Sequence, residues 1–217
     1  MSSDKAINFL RGEVGKSVKL TVVRSGVANP IVFNIVREKI ESETMSCEML
    51  DNGIAHIKLT IFNNQSAGSI KKTLTNYRKQ GMKYLILDLR GNGGGTLDSA
   101  VDVASIFIKE KKLVASIKGR IIESKIEYFT SGNGEFSDLP LIILVDERSA
   151  SASGIVAGMM QYYNRALIVG CNTFGKGCVT IVISLHNGAA LELVIAKYYL
   201  PSGSSIERSE DKDSKMV

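Results

Sequence analysis

Two short stretches carry side chains that could do chemistry together. One is Ser149-Ala150-Ser151-Ala152-Ser153; the other is Phe174-Gly175-Lys176-Gly177. The apolar, branched run Leu141–Val145 just before the serines reads as a buried strand. Ile155, Val156, Met159, Met160 and Tyr163 behind them fit one face of a helix. A serine at a strand-to-helix junction stands near the backbone N–H groups of the helix's first turn, which have no intrahelical partner. Such groups can hold a developing oxyanion. The chain's two histidines, His56 and His186, lie among no other polar candidates, so the base for such a serine is sought elsewhere. Lys176, held between two glycines after the apolar run Ala166–Val169, is the better candidate. At its reference pKa only about one lysine in a thousand is neutral at pH 7.4. Desolvation raises that fraction, and a serine activated by a lysine is a known form of nucleophilic catalysis. On the same residues, the bland alternative is a serine that caps a helix and a lysine on a solvated turn.

These stretches need an α/β scaffold. In chain order, 3–11 reads as a short helix, and 18–23 and 31–36 as strands. A helix and two strands are too little for an independent domain. Residues 37–49 are polar and charged, which reads as a linker. Then come a strand at 54–62, a helix with its apolar stripe at Ala67, Ile70, Leu74 and Tyr77, and a strand at 84–89. That strand runs into Gly91-Asn92-Gly93-Gly94-Gly95 and a helix at 97–109. Strand, small-residue turn and helix thus occur twice, here and at the serines, and repeated strand–helix units imply an α/β core. Further strands are read at 113–117 and within 121–129. Residues 179–185 and 189–196 read as a hairpin, and 207–217 as a charged tail.

With 217 residues and 44% hydrophobic side chains, the chain can bury a sizeable core. It has no run of 18 apolar residues that would suggest a spanning helix, and its first residues lack an apolar signal core. The net charge of +5 is dispersed. Lys71, Lys72, Arg78 and Lys79 share one predicted helix and read as a solvated face rather than a nucleic-acid site. Cys47, Cys171 and Cys178 have no metal-ligand spacing, and packing is the preferred reading of the pair that flanks Lys176. Gly170–Lys176 matches the front of a phosphate-binding loop, but Gly177 stands where the magnesium-ligating hydroxyl is needed, and a strand follows instead of a helix. The glycine loop has Thr96 where a dinucleotide fingerprint needs its last glycine.

Four stretches, in order over residues 1–207, resemble the carboxyl-terminal processing (tail-specific) proteases. They are the Ser149–Ser153 run with Phe174–Gly177, Leu87-Asp88-Leu89-Arg90-Gly91-Asn92-Gly93-Gly94-Gly95, Tyr198-Tyr199-Leu200-Pro201-Ser202-Gly203, and Ala6–Gly12. The last of these resembles the end of a PDZ domain. The resemblance implies a crotonase-like α/β spiral of strand–strand–helix units, preceded by a partial PDZ-like helix and strands. The boundaries it suggests are 1–38 for the PDZ portion, 39–50 for a linker, 51–207 for the protease core and 208–217 for the tail. It implies Ser151 as nucleophile and Lys176 as general base. The N–H groups of Ala152 and Gly94, or its neighbour Gly95, would form the oxyanion hole, with Ser149 and Ser153 structural. It implies no cofactor and no metal. Its substrates would be unfolded or tailed proteins with apolar C-termini, in an exported or periplasmic setting, and a homo-oligomer is left open.

Three positions depart from the family pattern. Thr180 stands where a glutamine orients the lysine, Gly154 where a glutamate follows the serines, and Tyr162 where an acidic residue is common. They motivate a second reading, a non-catalytic peptide-binding relative. A third reading is a crotonase-type acyl-CoA enzyme, which also uses backbone oxyanion holes but would not need the lysine turn.

Overall fold

A computed structural model describes residues 3–38, 44–119, 125–186 and 188–208. The chain divides into two units, residues 1–43 and 44–217. In the first, helix α1 (Ser3–Leu10) precedes two strands, β1 (Ser17–Val22) and β2 (Ile31–Val36), paired antiparallel with Ser17 opposite Val36. Arg37 ties this unit together. Its guanidinium donates to the Phe9 and Leu10 carbonyls at 2.9 and 2.8 Å. Ile7, Phe9, Leu10, Phe33 and Ile35 remain exposed, as expected of a unit too small to bury its own apolar face.

The second unit is built on a five-stranded sheet in the order β3 (Met45–Leu50), β4 (Ile54–Leu59), β5 (Tyr84–Asp88), β8 (Leu141–Val145), β9 (Leu167–Gly170). The last four strands run parallel, and β3 is antiparallel at one edge. Helix α2 (Ser66–Lys79) connects β4 to β5, and α4 (Ala152–Tyr162) connects β8 to β9. Helix α3 (Leu97–Phe107) follows β5. Alternation sets the faces: Ala55, Ile57 and Leu59, Leu85 and Leu87, and Leu141, Ile143 and Val145 are all buried. They form one core with Ile70 and Leu74 of α2, Val103, Ile106 and Phe107 of α3, and Ile155, Val156, Met159 and Met160 of α4. A second, antiparallel sheet has the order β10 (Cys178–Ser184), β11 (Ala190–Tyr199), β6 (Leu113–Gly119), β7 (Ile126–Phe129).

The α/β expectation holds. Two segments differ. Residues 45–50, read from sequence as part of a linker, form the edge strand β3. Only Met45 and Met49 of it are half-buried, packed against the core, so its alternation was carried by two methionines among polar neighbours. The strand expected over 54–62 ends at Leu59. Phe62 instead pairs with Gly95 in an isolated parallel bridge. Of the stretch 121–129, Ile126–Phe129 forms β7, while residues 121–124 lie outside the described residues, as do Asn187 of the hairpin turn and residues 209–217 of the predicted tail.

Candidate active site

The ends of β5 and β8 lie side by side, and the loops leaving them are sewn together. Leu89 N–H donates to the Leu144 carbonyl at 2.9 Å. Asp146, just past β8, accepts from the backbone N–H groups of Gly91 (2.8 Å), Arg148 (3.1 Å) and Ser149 (3.0 Å). Burial alone would raise the Asp146 carboxyl, but these hydrogen bonds outweigh it and hold it below the usual range.

The three serines of the turn have different surroundings. Ser149 is fully buried. Its hydroxyl donates to the Leu89 carbonyl at 2.8 Å and accepts from Asp146 N–H at 3.0 Å. Ser153 is fully buried, and its hydroxyl donates to the Asn92 carbonyl at 2.9 Å. Both are fastenings of the turn. Ser151 lies between them, half-buried at the N-cap of α4, and its hydroxyl has no hydrogen bond among the described residues. Its backbone sits at φ 52° and ψ −115°. A non-glycine residue there is strained by about 1–3 kcal/mol, and such strain clusters at functional sites. Ala152 opens α4, and its N–H has no partner among the described residues.

The glycine loop reaches the same point. A Cβ on Gly94 (φ 108°) would fall 2.9 Å from Ser151 Cβ and 3.1 Å from Ala152 N, so only glycine permits this approach. The Gly94 N–H is not free, because it donates to Asn92 Oδ1 at 2.8 Å. Gly94's carbonyl accepts from Phe62 N–H at 2.8 Å. The Gly95 N–H has no partner among the described residues, so of the two neighbouring glycines it is Gly95 whose amide is uncommitted.

The lysine turn is joined to the serine turn by one backbone bond, Phe174 N–H to the Ser149 carbonyl at 2.9 Å. Each end of this bond is two residues from a predicted site residue, Lys176 and Ser151. Gly175 (φ 81°) and buried Gly177 pack against residues 207–208. A Cβ on Gly177 would meet Glu207 N at 2.4 Å. The glycines on either side of Lys176 are therefore demanded by that packing. Lys176 itself is exposed and makes no hydrogen bond or ion pair among the described residues. Thr180 lies on β10 at a register irregularity and makes no hydrogen bond to Lys176. Gly154 faces Thr173 and Ile206, and Tyr162 is exposed beside Tyr163. Cys47, Cys171 and Cys178 are free thiols.

Sequence reasoning passed over a polar network behind the glycine loop. Asp88, 1% exposed, accepts two bonds from the Arg90 guanidinium at 2.9 and 2.7 Å and one from Arg90 N–H at 3.0 Å. His56 lies between its two carboxylates, 3.3 Å from Asp88 Oδ2 and 2.9 Å from Glu48 Oε1. Burial would raise the Asp88 carboxyl, yet the bonds from Arg90 and His56 prevail and hold it at about 2. The alternation of β4 and β5, which puts His56 and Asp88 in the same pleat direction on adjacent strands, was the available signal.

An uncommitted serine in a strained strand-to-helix turn, beside free backbone N–H groups and a lysine turn, has the parts of an acyl-transfer site. Residues 53–213 match the model of peptidase family S41, and the chain belongs to that family. It is 34% identical over 94% of its length to the carboxy-terminal-processing protease of Bartonella bacilliformis, covering 48% of that protein. It is 31% identical over 96% of its length to the carboxy-terminal processing protease CtpA of Bacillus subtilis, covering 44% of it. Among solved structures, the photosystem II D1 C-terminal processing protease superposes with a TM-score of 0.67 at 27% identity, over 90% of this chain and 54% of that one. The chain thus spans about half the length of the curated relatives it matches.

Proposed function

We propose that this chain carries the catalytic core of a serine endopeptidase that cleaves proteins near their C-termini. Ser151 attacks the scissile carbonyl and Lys176 takes its proton. The oxyanion rests on the N–H groups of Ala152 and of the Gly94–Gly95 turn, and water then releases the acyl-enzyme. One observation carries this reading: of three serines in one turn, Ser149 and Ser153 are locked into buried bonds while Ser151 is strained, uncommitted and half-buried. The parallel strands joined by helices α2 and α4 support a crotonase-like spiral, and residues 1–38 are read as PDZ-like. The substrates are unfolded or tailed proteins with apolar C-termini, and the setting is an exported one. Thr180 takes the place of a lysine-orienting residue.

The exposure of Lys176 favours one alternative, a catalytically impaired peptide-binding relative. In the catalytic reading, bound substrate covers the amine and excludes water from it. The deciding experiment is cleavage of an unfolded protein with an apolar C-terminus from pH 6 to 10, by this chain and by Ser151→Ala and Lys176→Ala. The catalytic reading expects cleavage by the parent with a rising limb toward high pH, lost in both variants. Cleavage that survives Ser151→Ala refutes it, and peptide binding without cleavage establishes the alternative.

A further inference from the structure

We infer that Asn92 is a positioning residue for the oxyanion hole. It fixes the glycine loop against the serine turn and commits the Gly94 amide, so that Gly95 and Ala152 supply the two donors. This rests on the catalytic reading given above. Asn92 is fully buried, and its side-chain amide and both backbone polar groups are hydrogen-bonded. Its Nδ2 donates to the Leu59 carbonyl at the end of β4 at 2.9 Å. Its Oδ1 accepts the Gly94 N–H at 2.8 Å. Its carbonyl accepts from Ala150 N–H at 3.0 Å and from the Ser153 hydroxyl at 2.9 Å. One residue therefore joins three segments, the end of β4, the glycine loop and both flanks of Ser151.

The consequence is directional. A backbone amide cannot serve an oxyanion while it is donated to a side chain. With Gly94 N–H spent on Asn92, the amides of Gly95 and Ala152, which have no partner among the described residues, are left to serve the oxyanion. The loop is held from its other side by Phe62, which donates to the Gly94 carbonyl and accepts from Thr96 N–H at 3.2 Å. Gly95 is thereby clamped between a side-chain anchor and a backbone anchor. A Cβ there would fall 2.0 Å from the Phe62 carbonyl oxygen. An oxyanion hole works through donors fixed before the reaction, so loosening this clamp costs rate rather than substrate affinity.

The test compares the parent with Asn92→Ala, Asn92→Asp and Thr130→Val. Thr130 is equally buried, and its hydroxyl donates to the Glu110 carbonyl at 2.7 Å, outside the site; its variant controls for general loosening. Amide hydrogen exchange reads the loop and peptide cleavage reads the chemistry. In Asn92→Ala the Gly94 amide is expected to lose protection, with kcat down about 100-fold and KM within about twofold. In Thr130→Val, Gly94 protection and kcat are expected to stay at parental values despite a lower melting temperature. Asn92→Asp retains the acceptor and is expected to restore Gly94 protection, which keeps the inference testable should the alanine variant fail to fold. Unchanged Gly94 protection in folded Asn92→Ala overturns the inference. So do parental kcat in that variant and loss of Gly94 protection in Asn92→Asp. A parent chain that does not cleave overturns the catalytic reading instead, and the exchange data then decide separately whether Asn92 sets the Gly94 amide.

Discussion

Replacing Asp88 with asparagine should reveal how much of the fold's stability depends on one buried charge. The carboxylate accepts three hydrogen bonds from Arg90 and lies 3.3 Å from His56 Nε2, so its pKa falls from the ordinary 3.8 to about 2. The folded-state pKa is below the unfolded one, so the charged form is what the fold prefers. The stabilisation is complete above about pH 5, declines as pH falls through 4 and 3, and is gone below about 2. A depression of that size corresponds to about 2 kcal/mol. It is counted here because the carboxylate is 1% exposed, although the partner guanidinium is 51% exposed and part of its contribution is screened. Urea unfolding of parent and Asp88→Asn at pH 7, 5, 4 and 3 measures it. The parent should exceed the variant by about 2 kcal/mol at pH 7, with the gap closing steadily toward pH 3. A gap that stays constant over this range would mean that packing, not charge, explains the loss, and the reasoning would fail.

Three further outcomes follow from the same geometry. Ser151→Gly should raise the melting temperature while abolishing acylation by a fluorophosphonate probe, because glycine relieves the positive φ at the turn and removes the nucleophile. Ser149→Ala should cost about 1–3 kcal/mol in urea unfolding, since it strands the Asp146 N–H in a buried site and takes one of two donors from the Leu89 carbonyl, which keeps the Asn92 N–H. Gly177→Ala should lower cleavage and release residues 207–208, read as faster amide exchange at Arg208, whose N–H donates to the Gly175 carbonyl at 2.9 Å. Protection at Arg208 equal to the parent's would contradict the close packing at Gly177.

The parts of this fold that the sequence discloses are those governed by local pattern. Leu141–Val145 and Tyr84–Asp88 are apolar runs, and the stripe of α4 has helical spacing, so strand, turn and helix around the serines are legible in the sequence alone. The edge strand β3 escaped because an edge covered on one side needs few apolar residues, and here two methionines suffice. The role of Asn92 was invisible for another reason. Its side-chain partner Leu59 is 33 residues away, and nothing in Arg-Gly-Asn-Gly-Gly marks the asparagine as more than a turn residue. The Gly94 amide is committed by a second bond of the same side chain, to its Oδ1 from two residues along the chain. The exposure of Lys176 is likewise a tertiary result, since its glycines fix the turn's path but not what covers it.

The strain at Ser151 explains why so many buried bonds surround it. A residue held at φ 52° relaxes unless its neighbours forbid it. Here the constraint comes from both sides. Ser149 is bolted to the end of β5 through the Leu89 carbonyl, and Ala150 and Ser153 are bolted to Asn92. The three bolts together can exceed a strain of about 1–3 kcal/mol, since each buried hydrogen bond contributes about 1 kcal/mol net and costs more than that when one partner is removed. The alternating Ser-x-Ser-x-Ser pattern thus has a mechanical meaning. The outer two hydroxyls face inward as anchors, and the strain they maintain leaves the middle hydroxyl without a partner among the described residues. Removing an anchor should therefore affect the middle serine as well as stability. In Ser153→Ala the backbone at Ser151 gains freedom, and fluorophosphonate labelling should slow by more than the lowered melting temperature alone accounts for.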